Sequence, residues 1–362
     1  MNIYFRVFIY CFFLISILIN NINASEKSIF SNQSEDKNVV ICLTGDMMAG
    51  ERIPPFIEKY GILYPFKHIL NIIKESDISF CNLEAPFFDL DEAPKFEKEY
   101  NFKVHSKLIK ILTEPGFDVV SLANNHIMDF GEGGLFLTIK TLINNGICYC
   151  GAGKDTEEAS RPAIIEKKGT KVAFLGYSMT YPKEFYAGKD TPGSVYPDTL
   201  ELKKIIKDVS LISDFIIVSF HWGSEGEKFP KEYQRIFAHF VVNCGADIVV
   251  GHHPHVIQSI EIYKNGLIFY SLGNFLFGSY GKHSKTGIIV KTEINKNIVK
   301  DAQIIPINVD NVVTQFQPTI LKNEEFEKII HEINDISMEL NGNKNVIYKN
   351  GKIILNNLMI YN

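Results

Sequence analysis

Five apolar runs in this sequence each end on residues able to bind a metal or move a proton. Residues 39–44 lead into Gly45-Asp46, residues 78–81 into Asn82-Leu83-Glu84, and residues 119–122 into Asn124-Asn125-His126. Residues 215–220 lead into His221-Trp222-Gly223, and residues 248–250 into Gly251-His252-His253-Pro254-His255. Ligands of open α/β sheets bind at the carboxyl ends of the strands. Set side by side, these five ends would gather two carboxylates, an amide and several imidazoles in one cleft. Such groups are costly to bury without a counter-charge, and a divalent cation supplies one. Mixed His and carboxylate donors suit Zn²⁺, Fe or Mn²⁺ rather than Ca²⁺. A carboxylate shared by two ions would let so many donors fit a small volume. Two ions ~3.5–4 Å apart activate water for attack on a phosphoryl or carbonyl centre. The expected cofactor is therefore one or two divalent ions of Zn, Mn or Fe.

Other residues join this set by position. Asp129, three residues after His126, is a candidate to orient that imidazole. Arg52, close behind Asp46, offers a guanidinium to an anionic substrate group. Glu225 follows His221 closely and can act as acid, base or substrate contact. Asn274, in Ser271-Leu272-Gly273-Asn274, is a further candidate to reach the cleft. His252 reads as a neighbour of the ligands rather than one of them. Trp222, the only tryptophan, either walls the cleft or packs in the core. His68, His239 and His331 fall on expected helices and read as ordinary, and the scattered lysines read as solvated faces.

The elements that must carry these residues alternate along the chain. Strands are expected at 39–44, 78–83, 118–122, 171–176, 215–220 and 247–250. Helices are expected at 65–75, 106–112, 134–144, 199–212 and 231–243, from apolar residues at helical spacing. This alternation predicts an α/β fold with helices layered on a sheet. After Ser259 the pattern changes to short strands separated by turn signals, with Asn265-Gly266 marking a hairpin. A late amphipathic helix is expected at 324–340, and a terminal hairpin at 346–359 around Asn350-Gly351.

The blocks LTGDMMAG, FCNLEAPF, VSLANNHIMDFG, FHWGSE, GADIVVGHHPHVIQ and YSLGNFLF resemble the capsule-synthesis proteins of the CapA (poly-γ-glutamate) type. That family belongs with the calcineurin-like metallophosphoesterases. The resemblance covers residues 39–310 and implies a layered sandwich of mixed β-sheets flanked by helices. It implies that Asp46 and Glu84 are metal ligands, Glu84 in the bridging position that is Asp in most phosphoesterases. It implies that Asn125 is a ligand and His126 a proton donor to the leaving group. His221, His253 and His255 match the remaining ligands. One ion would take Asp46, Glu84 and His255, the other Glu84, Asn125, His221 and His253. Phosphoesterases carry Asp-x-His in the first block, whereas the third position here is Met48, a poor partner for these ions. The implied function is capsule biosynthesis at a metal-dependent, hydrolase-like site acting on an anionic polymer. Partners would be other capsule synthesis and export membrane proteins. A non-catalytic, metal- or polymer-binding assembly subunit is the alternative.

Composition agrees with an exported globular body. The 362 residues are 46% hydrophobic and 22% charged with a net charge of −5, which excludes a disordered or polytopic membrane chain and offers no basic footprint for nucleic acid. Residues 1–24 carry one early charge, Arg6, an apolar stretch and a small-residue exit at Asn23-Ala24-Ser25, the pattern of a secretory signal or an N-terminal anchor. Residues 25–38 read as a polar linker and 311–362 as a C-terminal helix and hairpin extension. The protein is expected to be exported to the cell envelope, anchored or secreted. Five cysteines follow Cys11. Cys42, Cys81 and Cys244 suit small core positions, and Cys148-Tyr149-Cys150 is too tight for a redox pair, so no disulfide framework is expected.

Overall fold

The structure is a computed structural model that describes residues 38–90, 95–281 and 285–355. The expected leader, nearly all of the linker and the end of the terminal hairpin lie outside the described residues. Among the described residues no helix is long and apolar enough to cross a membrane.

In chain order the strands are β1 (Val39–Met48), β2 (Ile78–Leu83), β3 (Val119–Ser121), β4 (Cys148–Cys150), β5 (Ala152–Gly153), β6 (Ala163–Lys167), β7 (Thr170–Ser178) and β8 (Gly193–Ser194). They continue as β9 (Phe215–His221), β10 (Ile248–His252), β11 (Ile260–Tyr263), β12 (Gly266–Phe269), β13 (Asn274–Phe277), β14 (Thr286–Asn295), β15 (Ile298–Asn308) and β16 (Thr319–Ile320). One sheet has the order β16-β15-β14-β1-β2-β3-β4, with β13 also paired to β1. The other has the order β11-β12-β10-β9-β7-β6, and β5 pairs with β8. Both large sheets are mixed: β1, β2, β3 and β4 run parallel, as do β7, β9, β10 and β12, with antiparallel strands at their flanks.

The two-residue period of a strand sorts side chains into layers. Val39, Ile41 and Leu43 of β1 and Phe80 of β2 face Phe174, Phe215, Ile217 and Val250 of the second sheet across an apolar interlayer. Phe80 stacks on Phe174 with ring centroids 5.5 Å apart. The alternate residues face helices. Cys42, Cys81 and Val120 pack beneath Leu135, Ile139 and Leu142 of the helix Gly131–Asn144. Leu175, Val218 and Val249 pack beneath the helices Thr199–Ser210 and Glu232–Cys244. The product is a four-layered helix–sheet–sheet–helix sandwich. Parallel strands covered on both faces read as continuous apolar runs, which is how they stand out in the sequence.

A repeated latch registers the parallel strands at the edge opposite their carboxyl ends. Asp77, Asp118, Asp214 and Asp247 each stand immediately before a strand. Their carboxylates accept from the backbone N–H of Val40, Ser79, Lys171 and Ile216 on the neighbouring strand, at 2.8–2.9 Å. Each of the four also donates its own N–H to the carbonyl of that same residue. The following strands are β2, β3, β9 and β10, and each runs from its latch straight to a residue of the cluster described below.

Several elements differ from the expected ones. Residues 65–75 form a 3-10 turn, Tyr64–Phe66, and a short helix, Leu70–Lys74. Phe66, Ile69 and Ile73 still face the core, but the chain reaches them through tight turns, with Ile69 N–H donating to Phe66 O and Ile72 N–H to Ile69 O. The helix Pro54–Tyr60 and the strand β6 were not expected. The segment expected as an extension adds β16 to the edge of the first sheet, and the helix Asn323–Ser337 buries Ile329, Ile330 and Ile333 in the interlayer.

Candidate metal centre

β1 widens at its carboxyl end, where its register with β2 shifts between Leu43 and Asp46. Asp46 N–H donates to Gly273 O at 3.1 Å. A Cβ on Gly45 would sit 1.9 Å from that same carbonyl, so only glycine lets the two segments close around Asp46. Gly251 plays the same part on β10, where a Cβ would lie 1.9 Å from Tyr270 O. After it the chain turns sharply. His253 and His255 adopt positive φ angles of 92° and 56°, sparsely populated values for residues with a Cβ, and such strain concentrates at functional sites.

These turns bring the expected residues together. His255 Nδ1 lies 3.3 Å from Asp46 Oδ2, and its Nε2 lies 3.8 Å from Glu84 Oε1. His221 Nε2 lies 3.5 Å from Glu84 Oε1 and 2.8 Å from Asn125 Oδ1. The rings of His221 and His253 are 4.8 Å apart. Donor atoms of Asp46, Glu84 and His255 lie within 4.8 Å of one another, and so do those of Glu84, His221 and His253. Glu84 is common to both groups. A third group joins the exposed Glu225 to His253 and His255.

Surrounding amides set the orientations. Asn82 Nδ2 lies 2.9 Å from Asp46 Oδ1, 3.2 Å from His221 Nδ1 and 3.4 Å from Glu84 Oε2. Asn124 in turn donates to Asn82 Oδ1 and to Leu83 O, and accepts from His126 N–H. Asn274 Oδ1 accepts from His255 Nδ1 at 2.8 Å, which turns Nε2 toward Glu84. His253 N–H donates to Asp46 Oδ2 at 3.1 Å. His252, fully buried, places Nδ1 3.2 Å from Asp46 Oδ1.

The electrostatics ask for a cation. Burial pushes the Glu84 carboxyl well above the usual range, and the Asp46 carboxylate pushes it further. Burial also acts to raise Asp46, but hydrogen bonds and charge from His252 and His255 outweigh it and hold Asp46 well below the usual range. Burial lowers His221 well below an ordinary imidazole and His253 to about 3, neighbouring imidazoles adding to both. His255 goes the other way, to about 10, because Glu84, Asp46 and Asn274 overcome its burial. Glu84 Oε1 and His253 Nδ1 are buried with no hydrogen-bond partner. Buried polar atoms left unpaired in this way are uncommon and call for an explanation. The neutral imidazoles of His221 and His253, the carboxyl groups of Asp46 and Glu84, and the imidazole of His255, which loses its proton on binding a cation, form a donor set that suits a divalent transition metal.

Beside the cluster stands a second device. His126 Nδ1 lies 2.7 Å from Asp129 Oδ2, and Lys98 Nζ lies 2.5 Å from Asp129 Oδ1. Phe102 N–H also donates to Asp129 Oδ2. Lys98 further reaches Asn125 O at 2.5 Å, so it ties the Asn125-His126 pair to Asp129. Burial lowers the Lys98 ammonium below its ordinary value, against the opposing pull of Asp129. Burial likewise lowers His126, again against Asp129.

Not every candidate enters the cluster. Arg52 is exposed, its guanidinium 4.9 Å from the centre of the Tyr280 ring. Trp222 belongs to the core: its ring stacks on Phe220 at 4.4 Å and its Nε1–H donates to Tyr270 O. His68 is exposed, His331 pairs with Asp335, and His239 pairs with Glu261 away from the centre. Sequence reasoning missed Lys98 and the bridging roles of Asn82 and Asn124. For the asparagines a signal existed, since both stand where a strand meets a cluster residue. For Lys98 there was none.

With this geometry in place, similarity to other proteins becomes decisive. The profile of the family described as bacterial capsule synthesis protein PGA_cap matches residues 40–279. The chain belongs to the PGA_cap family. A capsule biosynthesis protein CapA of Bacillus anthracis is 34% identical over 282 residues, 76% of this chain and 68% of that protein. A PGA biosynthesis protein CapA of Bacillus subtilis (strain 168) is 32% identical over 266 residues, 73% of this chain and 70% of that protein. A 5'-nucleotidase precursor from Thermus thermophilus aligns with a TM-score of 0.45 and 11% identity, over 79% of this chain and 55% of that one. In this PGA_cap member the first-block Met48 is fully buried in the apolar layer between the first sheet and its helices. Its side chain is core, and the Asp46 side of the centre keeps Glu84 and His255 as companions.

Proposed function

We propose that this protein is an exported, cell-envelope component of poly-γ-glutamate capsule synthesis, acting on the anionic polymer at a metal-dependent, hydrolase-like site. The names of its relatives support the pathway. Residues 1–24 would serve as secretory signal or anchor, and other capsule synthesis and export membrane proteins would be the partners. One observation carries the metal reading: Glu84 Oε1, buried without a hydrogen bond, faces His221 Nε2 at 3.5 Å and His255 Nε2 at 3.8 Å.

Asp46, Glu84 and His255 would hold one ion, and Glu84, Asn125, His221 and His253 the other. Divalent ions held there supply Lewis acidity and an activated water for attack on a carbonyl or phosphoryl centre. The chain's own residues do the rest. Asn82 and the His253 N–H keep Asp46 aimed, and Asn274 fixes the His255 ring. Asp129 accepts Nδ1–H of His126, leaving Nε2 unprotonated in the neutral ring, so Nε2 first takes up a proton from water and then passes that proton to the leaving group. Lys98 balances the Asp129 charge so that it holds the imidazole in one orientation. The Phe102 ring, 4.3 Å from the His126 ring, and the Phe277 ring, 5.0 Å from that of His255, keep one side of the site dry.

The test compares metal content, folding and polymer production for two variants of the full chain. His221→Ala/His253→Ala should lose metal and polymer together. His126→Ala should keep metal and fold but lose polymer. A second reading, a non-catalytic assembly subunit, draws on Met48, whose burial in the core leaves the Asp46 ion with few protein donors. Normal capsule from His126→Ala would select that reading and remove the catalytic role.

A further inference from the structure

A cavity of about 720 Å³ opens directly beside the cluster, with His253 and Glu225 among its lining residues. Its other walls come from three separate segments: Thr180 and Tyr181 after β7, Tyr196 after β8, and Ser224, Lys231 and Tyr233 on the stretch leading from β9 into the helix Glu232–Cys244. Two tyrosines stand largely in the open, Tyr181 at 74% and Tyr196 at 48% exposure. A half-buried neighbour supports Tyr196. Tyr186 spends its hydroxyl on Thr180 O and packs its ring 5.1 Å from that of Tyr196. Tyr233 OH accepts from Gly223 N–H at 2.7 Å, so its own hydrogen is free to be donated.

The charges are arranged with direction. Glu225 lies toward the metal end, its carboxylate grouped with His253 and His255. Lys231 is the one cation among the lining residues. Its Nζ donates to Ser224 Oγ at 2.5 Å, and no carboxylate pairs with it among the described residues. At the inner end, His253 Nδ1 is buried without a partner. The cavity therefore offers a cation, several phenolic donors and flat apolar ring faces leading to a metal-suited donor set. Aromatic side chains with a polar tip provide rigid contact area at low entropic cost.

Resting on the reading of the preceding subsection, we infer that this groove seats a short stretch of γ-linked polyglutamate and feeds it to the metal centre. Lys231 takes one pendant carboxylate. The hydroxyls of Tyr181, Tyr196 and Tyr233 donate to amide carbonyls or further carboxylates, and the tyrosine rings cover the methylene segments between them. A cavity of this size encloses a ligand of small-molecule dimensions, so a few residues of the chain sit inside and the rest trails into solvent.

The test measures binding of a fluorescently labelled γ-linked glutamate oligomer to the metal-loaded, full-length chain by anisotropy. Unlabelled oligomer and a uronic-acid polysaccharide serve as competitors. Lys231→Met and Tyr181→Ala/Tyr196→Ala alter exposed side chains, and both should weaken binding at least ~10-fold with metal content and melting temperature unchanged, ~10-fold being the loss of one charged or aromatic contact. The oligomer should compete better than the polysaccharide. Unchanged binding in both variants, with the parent binding, would remove the groove assignment and leave the polymer reading intact. Stronger competition by the polysaccharide would overturn the polyamide assignment. A metal-loaded parent that binds no oligomer would overturn the groove together with the polymer reading beneath it.

Discussion

Asp247 should make the protein less stable as pH rises, and its replacement by asparagine should abolish that loss. Three of the four latch aspartates have lysines nearby: Lys168 lies 2.7 Å from Asp77, Lys167 3.3 Å from Asp118 and Lys296 3.9 Å from Asp214. Among the described residues no cation pairs with Asp247. Burial raises its carboxyl to about 7, opposed by the Ile216 N–H that it accepts. An unfolded aspartate titrates near ~3.9, so the folded state holds this proton more tightly. The resulting stability is fully present below pH ~4 and is lost as pH rises through ~7. Three pKa units at ~1.36 kcal/mol each set the loss at roughly 4 kcal/mol by alkaline pH, of which ~2–3 kcal/mol falls between pH 5 and pH 8. Asp247→Asn keeps an oxygen to accept from Ile216 and cannot ionise. Urea unfolding followed by fluorescence of Trp222, the sole tryptophan and fully buried, reads the difference directly. Relative to the parent, the variant should gain ~2–3 kcal/mol from pH 5 to pH 8, because every other titration cancels in the comparison. Parallel pH profiles for the two proteins would refute the assignment of that proton to Asp247.

Three further outcomes are expected. Lys98→Met leaves the Asp129 carboxylate buried beside a neutral chain and should cost ~3–5 kcal/mol, while Lys98→Met/Asp129→Asn should cost clearly less than the sum of the two singles; additive melts would show that the pair is not coupled. Glu84→Gln should abolish the rise in melting temperature that added Mn²⁺ or Zn²⁺ gives the parent, because both donor groups share this carboxylate. An equal metal-induced rise in both proteins would remove Glu84 from the centre. Gly251→Ala, whose Cβ would meet Tyr270 O at 1.9 Å, should cost more than ~2 kcal/mol, whereas Gly133→Ala, with only Phe88 at 3.7 Å, should be neutral or stabilising by ~0.5–1 kcal/mol. Melting curves for the two glycine variants decide it, and equal effects would show that the contact at Gly251 is relieved cheaply.

Much of the site was legible before the fold was known, because its signals are local. A buried parallel strand is a short apolar run, and the residue that follows it is where such a strand delivers chemistry. Asp46, Glu84, His221 and the blocks Asn124-Asn125-His126 and His252-His253-Pro254-His255 stand out on that ground, and the family resemblance singles out Asn125, His126, His253 and His255 within the blocks. The latch was equally available, since Asp77, Asp118, Asp214 and Asp247 each precede an apolar run directly, although a lone aspartate before a strand also reads as an ordinary turn residue. Lys98 gave no signal. It stands in a polar stretch without periodicity, and its burial arises only because Asp129 and the Asn125 carbonyl approach from another part of the chain. Arg52 shows the reverse case, close to Asp46 in sequence yet packed on Tyr280.

The local order of residues says which residue types reach the carboxyl ends of the strands, and that two carboxylates with several imidazoles gathered there would suit a cation. It determined the helix–sheet alternation as well, because apolar periodicity is a property of neighbouring residues. Which donors share Glu84, how Lys98 comes to balance Asp129, and how tyrosines from three segments come to wall one cavity beside His253 emerge in the folded chain. Those outcomes depend on strand order and register, and a register is set by contacts between segments far apart in the chain.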